Sequence, residues 1–399
     1  MKNLKDYGIV TAAYWSFMLT DGALRMLCLL YFHSKGFTAV ELAFMFLLYE
    51  LCGVLTNLFG GWYAQRKGLR QSLISGLALQ VFALSALSQL SDSWKPALSL
   101  AFVMGAQAFA GIAKDLTKMS SKTAVKFLVS DSSSKLFKWT AILTGSKNAV
   151  KGFGFFFGAF LLQNWGFSTS LIIMALGIAL ILATVLLKLK GDLGQVKSKD
   201  RLKDFFNQGR EINLLAAARV FLFGARDIWF VVAVPVFFHE YLHWSFTQVG
   251  TFHAVWVIAY GAVQSSAPKL LKSADGSKED KNKAFKLSLT LCISMSLIIA
   301  GSAIFDYNSY ILVGGLMLFG FFFALNSSFH SYLILSFSKS DKAAMSVGFY
   351  YMANAIGRLF GTLLSGILYQ VGGLMACLIG SLSFLVITSF ISKKLNSQK

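Results

Sequence analysis

The sequence predicts an all-α polytopic membrane protein with twelve transmembrane helices in two six-helix halves. Three observations predict it. Of 399 residues, 56% are hydrophobic and 15% aromatic while only 14% are charged, well below the quarter or so that soluble domains carry. The segments 72–91, 152–187, 241–268, 287–305, 307–338 and 359–392 hold no Asp, Glu, Lys or Arg, and each is long enough for at least one bilayer span of about 20 residues. These segments are apolar on every face, unlike the alternating strands of a membrane barrel, which leaves bundled helices as the spanning structure.

Charged or turn-like connectors cut the chain into spans at 7–32, 40–62, 70–90, 97–115, 137–163, 168–188, 213–238, 246–268, 285–305, 309–336, 343–369 and 372–391. The first span contains Asp21 and Arg25, and no small-residue cleavage pattern follows it, so it reads as a retained helix and not as a secretion signal. The longest polar connector, 189–212, lies between the sixth and seventh spans. It divides the chain into an N-terminal half over 1–188, a cytoplasmic linker over 189–212 and a C-terminal half over 213–399.

The 37 Lys and Arg residues set the direction of the spans. Connectors that share a side with the two termini carry 29 of them, whereas the opposite side has only Lys35 and Lys95. The positive-inside rule therefore places both termini in the cytoplasm. The same bias accounts for most of the net charge of +19, so the surrounding partner is membrane lipid and no nucleic acid is expected. A monomer is expected.

Comparing the halves at an offset of 206 residues aligns Asp21 with Asp227, and Asn148-Ala149-Val150 with Asn354-Ala355-Ile356. Each coincidence joins equivalent spans, as in the parallel six-helix halves of the major facilitator superfamily. After span two, the run from Gly61 through Gln65, Arg66, Gly68 and Arg70 resembles that superfamily's loop motif Gly-x-x-x-Asp-Arg-x-Gly-Arg-Arg. Gln65 replaces the usual Asp and Leu69 a usual basic residue. In span five, Gly154 and Gly158 form a small-x-x-x-small pair suited to close helix packing.

Six cations lie within spans: Arg25, Lys147, Lys151, Arg219, Arg226 and Arg358. A basic side chain at the bilayer centre costs about 2.5–3.5 kcal/mol on insertion scales, so these groups are expected to face a wet cavity or a partner. Asp21 and Arg25, four apart on one helical face, are expected to pair with each other. Arg226 and Asp227 are adjacent, so each is expected to need a partner on another helix or a ligand. Glu50 has no basic residue within a turn and reads as a lone carboxyl. Asp21, Glu50 and Asp227 are accordingly the proton-coupling candidates. Lys147 and Lys151 share one face of span five with no acid nearby in sequence, and the low dielectric strengthens their repulsion. An anionic substrate would relieve it; so would Asp21, Glu50 or Asp227 reaching across from another helix. Guanidinium groups suit bidentate recognition of phosphate-like or carboxylate oxygens. Lys114, Lys118, Lys122 and Lys126 recur every four residues at the end of span four and are expected to form a basic stripe that focuses anions at the mouth. The expected substrate-binding set is therefore Arg25, Lys114, Lys118, Lys147, Lys151, Arg219, Arg226 and Arg358.

His239 and His243, beside Glu240, are expected to be interfacial and structural and not metal ligands, and His330 a packing residue in preference to a proton relay. Cys28, Cys52, Cys292 and Cys377 are scattered singly and suggest neither a disulfide framework nor a metal site. No metal or cofactor is expected. No nucleophile with its base, nor metal ligands at helical spacing, points to an enzyme, and no soluble output domain points to a sensor.

Four segments carry a closer resemblance: Leu19-Thr20-Asp21-Gly22-Ala23-Leu24-Arg25-Met26; Gly111 to Ser120 with Lys114, Asp115 and Lys118; Leu143 to Gly152 with Lys147 and Lys151; and Phe223-Gly224-Ala225-Arg226-Asp227-Ile228-Trp229. They resemble the organoarsenical-efflux permeases of the major facilitator superfamily, the ArsJ type, over about residues 7 to 390. The resemblance implies that a partner glyceraldehyde-3-phosphate dehydrogenase makes 1-arseno-3-phosphoglycerate, and that the permease exports this ester across the inner membrane, giving arsenate resistance. The cysteine pattern agrees. Trivalent arsenic favours clustered thiolates, whereas a pentavalent arsenate ester presents oxygens to Arg, Lys and amide donors. With no Gly-x-x-x-x-Gly-Lys-Ser/Thr motif in the chain, proton-driven exchange is the expected source of energy. A carrier for ordinary phosphate esters or another organic anion remains the alternative, because charge placement does not separate arsenate from phosphate.

Overall fold

The computed structural model describes residues 4–128, 133–189, 208–271, 278–337 and 343–396. Eleven helices fill them: α1 Leu4–Ser34, α2 Ala39–Lys67, α3 Leu69–Leu87, α4 Pro96–Leu128, α5 Ser133–Lys188, α6 Arg210–Phe230, α7 Ala233–Glu240, α8 Phe246–Leu271, α9 Lys278–Ile304, α10 Ser309–Phe337 and α11 Ala343–Asn396. No strand occurs among the described residues.

Two helices are double-length and broken. Gly166 in α5 takes φ 73°, and Gly372 and Gly373 interrupt α11, with Gly373 at φ 59°. These left-handed glycines sit where the chain turns between spans five and six and between spans eleven and twelve, conformations that a Cβ makes costly. Span seven has the opposite character: α6 and α7 are separated only at Val231 and Val232, and Ser365 Oγ accepts from the backbone N–H groups of Val232 and Ala233 at 3.2 Å. With those breaks, the helical runs follow the twelve spans expected from the sequence.

Helix ends carry local sequence signals. At the α1 terminus the Phe37 N–H donates to Phe32 O and the Gly36 N–H to His33 O, with Gly36 at φ 85° and the Phe32 and Phe37 rings 5.2 Å apart. This is a Schellman closure with its hydrophobic contact. Thr38 then opens α2 with a reciprocal box, its N–H donating to Glu41 Oε2 at 2.8 Å and the Glu41 N–H to Thr38 Oγ1 at 3.3 Å. Ser245 and Gln248 repeat the device at the start of α8. Gly68, at φ 84°, caps α3.

The chain forms two compact units. One comprises Met1–Phe37, Phe44–Lys199 and Trp244–Ile258; the other Thr38–Ala43, Asp200–His243 and Ala259–Lys399. In the first, α1 packs most closely on α5; in the second, α6 packs most closely on α11. Glycines make both approaches possible. A Cβ on Gly154 would strike the Leu19 carbonyl and one on Gly158 the Ala23 carbonyl, while a Cβ on Gly357 would strike the Val220 carbonyl. Gly361 lies equally close to Gly224 and to the Cβ of Asp227. Small residues of this kind let membrane helices pack backbone to backbone.

Polarity is inverted relative to a soluble protein. Leu180, Leu187, Leu297 and Phe390 are largely exposed, whereas Asp21, Glu50, Asp115 and Asp227 are buried. Apolar side chains pointing outward suit lipid, and the charged groups must satisfy one another inside.

Candidate functional site

Each unit has a charged interior built around one aspartate on its first spanning helix. In the first unit, Gly22 brings α1 onto the backbone of Lys151, where a Cβ would lie 2.5 Å from the carbonyl. That approach sets Asp21 Oδ2 2.5 Å from Lys151 Nζ of α5, and the hydroxyl of Tyr49 donates to Asp21 Oδ1. One turn further along α1, Arg25 pairs with Glu50 of α2 at 2.5 Å and lies over the Phe46 and Tyr49 rings. On α4, Asp115 receives Lys118 at 2.8 Å and Lys114 at 3.9 Å. Lys118 also donates to Asn57 Oδ1, and Lys114 Nζ sits 4.0 Å above the Tyr49 ring. Gly53 leaves room for this cluster, since a Cβ there would come within 3.1 Å of Asp115 Oδ2. Tyr49 is thus the hub: its hydroxyl serves Asp21 and its ring carries Lys114 and Arg25.

In the second unit, Asp227 accepts from the neighbouring Arg226 at 2.5 Å and lies 3.4 Å from Arg358 Nε of α11. Arg219, two turns earlier on α6, is buried between aromatic faces, 3.8 Å over Phe223 and 4.7 Å over Tyr350. Its Nε donates to Asn354 Oδ1 at 3.2 Å and its NH1 to the carbonyl and hydroxyl oxygens of Ser327, both at 3.1 Å.

These contacts correct three sequence expectations. Asp21 and Arg25 do not pair with each other, because helix packing offers each a better-placed partner, Lys151 on α5 and Glu50 on α2. Glu50 is therefore not a lone carboxyl. Arg226 does not need to look to another helix for its carboxylate, since its long side chain folds back onto Asp227. Lys147 lies on the same helical face as Lys151, one turn away on α5, and is half-buried. Of the α4 stripe, Lys114 and Lys118 converge on Asp115, whereas the side chains of Lys122 and Lys126 lie outside the described residues. So do those of Gly61 to Lys67 in the loop motif, and most of the linker.

Sequence reasoning missed Tyr49, Asp115, Asn57 and Ser327. Asp115 had a signal, lying between Lys114 and Lys118 at the spacing of a helical ion pair. The neutral residues had none, because a hydroxyl or amide in an apolar helix gains meaning only from what faces it.

Counted by charge, the first unit sets Arg25, Lys114, Lys118, Lys147 and Lys151 against Asp21, Glu50 and Asp115. The second sets Arg219, Arg226 and Arg358 against Asp227. Among the described residues, each of these two clusters carries more positive than negative groups, an excess that a bound anion would offset.

Comparison with known proteins agrees with this architecture. The chain is similar in structure to a POT family transporter crystallised in complex with 5-aminolevulinic acid, with a TM-score of 0.74, 14% identity, and coverage of 99% of this chain and 98% of that one. A POT family transporter in complex with a thioalcohol-conjugated peptide gives a TM-score of 0.75 at 14% identity, covering 98% and 96%. A bacterial homologue of the iron transporter ferroportin, in its inward-facing state, gives 0.71 at 14% identity over the full length of both chains. At such identity the likeness concerns the fold alone. No functionally curated protein matches the chain. The model of the Major Facilitator Superfamily matches residues 9–362. The chain is thus a multi-pass membrane protein that belongs to the Major Facilitator Superfamily, a transporter and not an enzyme.

Proposed function

We propose that this transporter exports an anionic organoarsenical, 1-arseno-3-phosphoglycerate, from the cytoplasm by alternating access. The observation that carries the anionic part is that, among the described residues, the buried and half-buried cations grouped around Asp21, Glu50 and Asp115 and around Asp227 outnumber those carboxylates. The arsenical part is supported by the resemblance of the segments around Asp21, Lys114, Lys147 and Asp227 to the organoarsenical-efflux permeases. Arg25, Lys114, Lys118, Lys147, Lys151, Arg219, Arg226 and Arg358 are the proposed anion-recognition set. Asp21, Glu50 and Asp227 are the proposed proton carriers: each already neutralises a cation, so protonating one frees a positive group for substrate. On this reading the halves are 1–188 and 213–399 joined by the linker 189–212, both termini are cytoplasmic, and the protein acts as a monomer in the inner membrane. Its functional partner is a glyceraldehyde-3-phosphate dehydrogenase that makes the ester.

The test is arsenic accumulation in an arsenate-sensitive bacterium expressing the chain alone, the dehydrogenase alone, or both. Lower accumulation and resistance only with both are expected. Resistance with the transporter alone, in a host shown not to supply the ester, would assign free arsenate as the substrate instead. Neutralising Lys147 or Lys151 is expected to abolish export while the protein still reaches the membrane. A second reading, a carrier for ordinary phosphate esters, is favoured by one chemical fact: arsenate and phosphate esters present the same oxygens to Arg and Lys. Strong competition by 3-phosphoglycerate would support it.

A further inference from the structure

Arg219 differs from the cations that sit beside carboxylates. Lys151, Arg25, Lys118, Arg226 and Arg358 all have carboxylates within 4 Å. Arg219 has none among the described residues: its acceptors are the Asn354 amide oxygen and the two oxygens of Ser327, all neutral. A guanidinium stays protonated under all physiological conditions, so a full positive charge sits 5% exposed with no counter-charge.

The surroundings are polar and neutral. Ser327 Oγ, which accepts from Arg219, also lies 3.0 Å from the Tyr260 hydroxyl, and Gln264 Nε2 donates to Tyr260 at 2.7 Å and to Ser327 at 3.3 Å. His330, one turn beyond Ser327 on α10, is fully buried, and neither ring nitrogen has a hydrogen-bond partner among the described residues. An uncompensated cation beside an orphaned imidazole is a costly arrangement for a merely structural purpose.

We propose that Arg219 is the anchor of an oxyanion site inside the second unit, specific for a phosphate-type monoester group. It presupposes that the chain carries an organic anion and narrows recognition to one guanidinium with a neutral polar cradle. The geometry selects the class of anion. Nε is tied to Asn354 and NH1 to Ser327, so neither two-nitrogen edge of the fork is open for the parallel grip that a carboxylate favours. NH2 keeps both hydrogens without an acceptor among the described residues. That leaves two N–H donors on a single nitrogen, and a tetrahedral group with three terminal oxygens can accept from them and still direct an oxygen elsewhere in the cradle. Arg219 is enclosed by α6, α10 and α11 and lies away from the outer, lipid-facing surface, which selects a soluble ester over a lipid headgroup.

The experiment measures binding of glycerol 3-phosphate, with lactate as the carboxylate comparator, to the purified full-length protein in neutral detergent by calorimetry. The wild type is expected to bind the phosphate ester in preference to lactate. Arg219→Gln is expected to weaken binding about tenfold or more, the size of a lost charge-assisted contact. Asn354→Asp provides a second arm that separates loss of binding from loss of fold. It places a carboxylate on Arg219 Nε, so the protein is expected to melt at a higher temperature than wild type and still to bind the ester about tenfold more weakly. Wild-type affinity in Asn354→Asp, preference for lactate, or no binding of the ester by wild type would overturn the site. The arsenic-export assay is independent of these results. Export without Arg219-dependent binding removes this site alone, and binding without arsenic export removes the arsenical substrate alone.

Discussion

Asp21 and Lys151 come from helices 130 positions apart in sequence, yet each is the reason the other is tolerable inside a bilayer. Removing one leaves an uncompensated buried charge, which in comparable settings costs about 3–5 kcal/mol. Asp21→Asn is therefore expected to lower the melting temperature sharply. The double variant Asp21→Asn/Lys151→Met should recover most of the loss, because both charges are gone together. A double-mutant cycle on detergent-purified protein measures this coupling, and additive losses would contradict the pairing. A second pair lies outside the membrane-spanning segments. Lys35 Nζ is 2.9 Å from Asp92 Oδ1, and the Tyr31 hydroxyl donates to the same carboxylate at 2.8 Å. These hydrogen bonds, that from Lys35 foremost, hold the Asp92 carboxyl below its ordinary value. A depressed carboxyl adds stability above its unfolded pKa of about 3.9, and that stability is lost as pH falls through the lower folded value. Both groups are exposed, so the effect is small. Between about pH 5 and pH 3 the wild type should lose slightly more melting temperature than Asp92→Asn, with parallel curves above about pH 5; parallel curves throughout would deny the pair any role.

At the scale of the helices, the charged interiors depend on glycine. Asp21 meets Lys151 because Gly22, Gly154 and Gly158 allow α1 and α5 to touch along their backbones, and Asp227 meets α11 through Gly357 and Gly361. Gly158→Ala and Gly357→Ala are expected to destabilise, since the added methyl meets backbone and not a movable side chain, at a cost of about 1–3 kcal/mol for overpacking. Gly105 in α4 gives the control: nothing lies within 4 Å of its Cβ direction, so Gly105→Ala should gain about 0.5–1 kcal/mol from helix propensity. Equal effects at all three positions would mean that close approach is not what these glycines provide. The helices themselves were legible in the sequence, because charge-free runs of spanning length leave the chain little choice. The turn at Gly166 was legible only as the narrow gap between 163 and 168, and the turn at Gly372-Gly373 falls at the first residues of the span expected to begin at 372, for neither carries a charge. The interior pairings were less legible. Spacing along one helix suggests that Asp21 pairs with Arg25, but the rotation of α2 and α5 against α1 decides otherwise, and one sequence does not encode that rotation in any local pattern. The surplus of cations was readable by counting; the neutral cradle around Arg219 was not, since Ser327, Tyr260 and Asn354 are polar residues of an ordinary kind.

For the whole molecule, the 29-to-2 division of Lys and Arg between connectors of opposite side is a statement about orientation that each connector contributes to separately. Reversing the molecule would require moving nearly every basic connector across the bilayer, so no one connector decides the outcome. Two positions read the orientation directly. Ser93 lies exposed in the connector between α3 and α4, on the side that holds only Lys35 and Lys95, and Lys188 lies exposed at the end of α5 beside the basic linker. The native cysteines interfere little, because Cys28, Cys292 and Cys377 are buried and Cys52 is half-buried. In intact cells, Ser93→Cys is expected to react with a membrane-impermeant maleimide, whereas Lys188→Cys is expected to react only after permeabilisation. The reverse pattern would place the termini outside. It would also put the basic stripe beginning at Lys114 on the wrong face to gather anions from the cytoplasm, and export would then have to be replaced by uptake as the direction that the charge distribution favours.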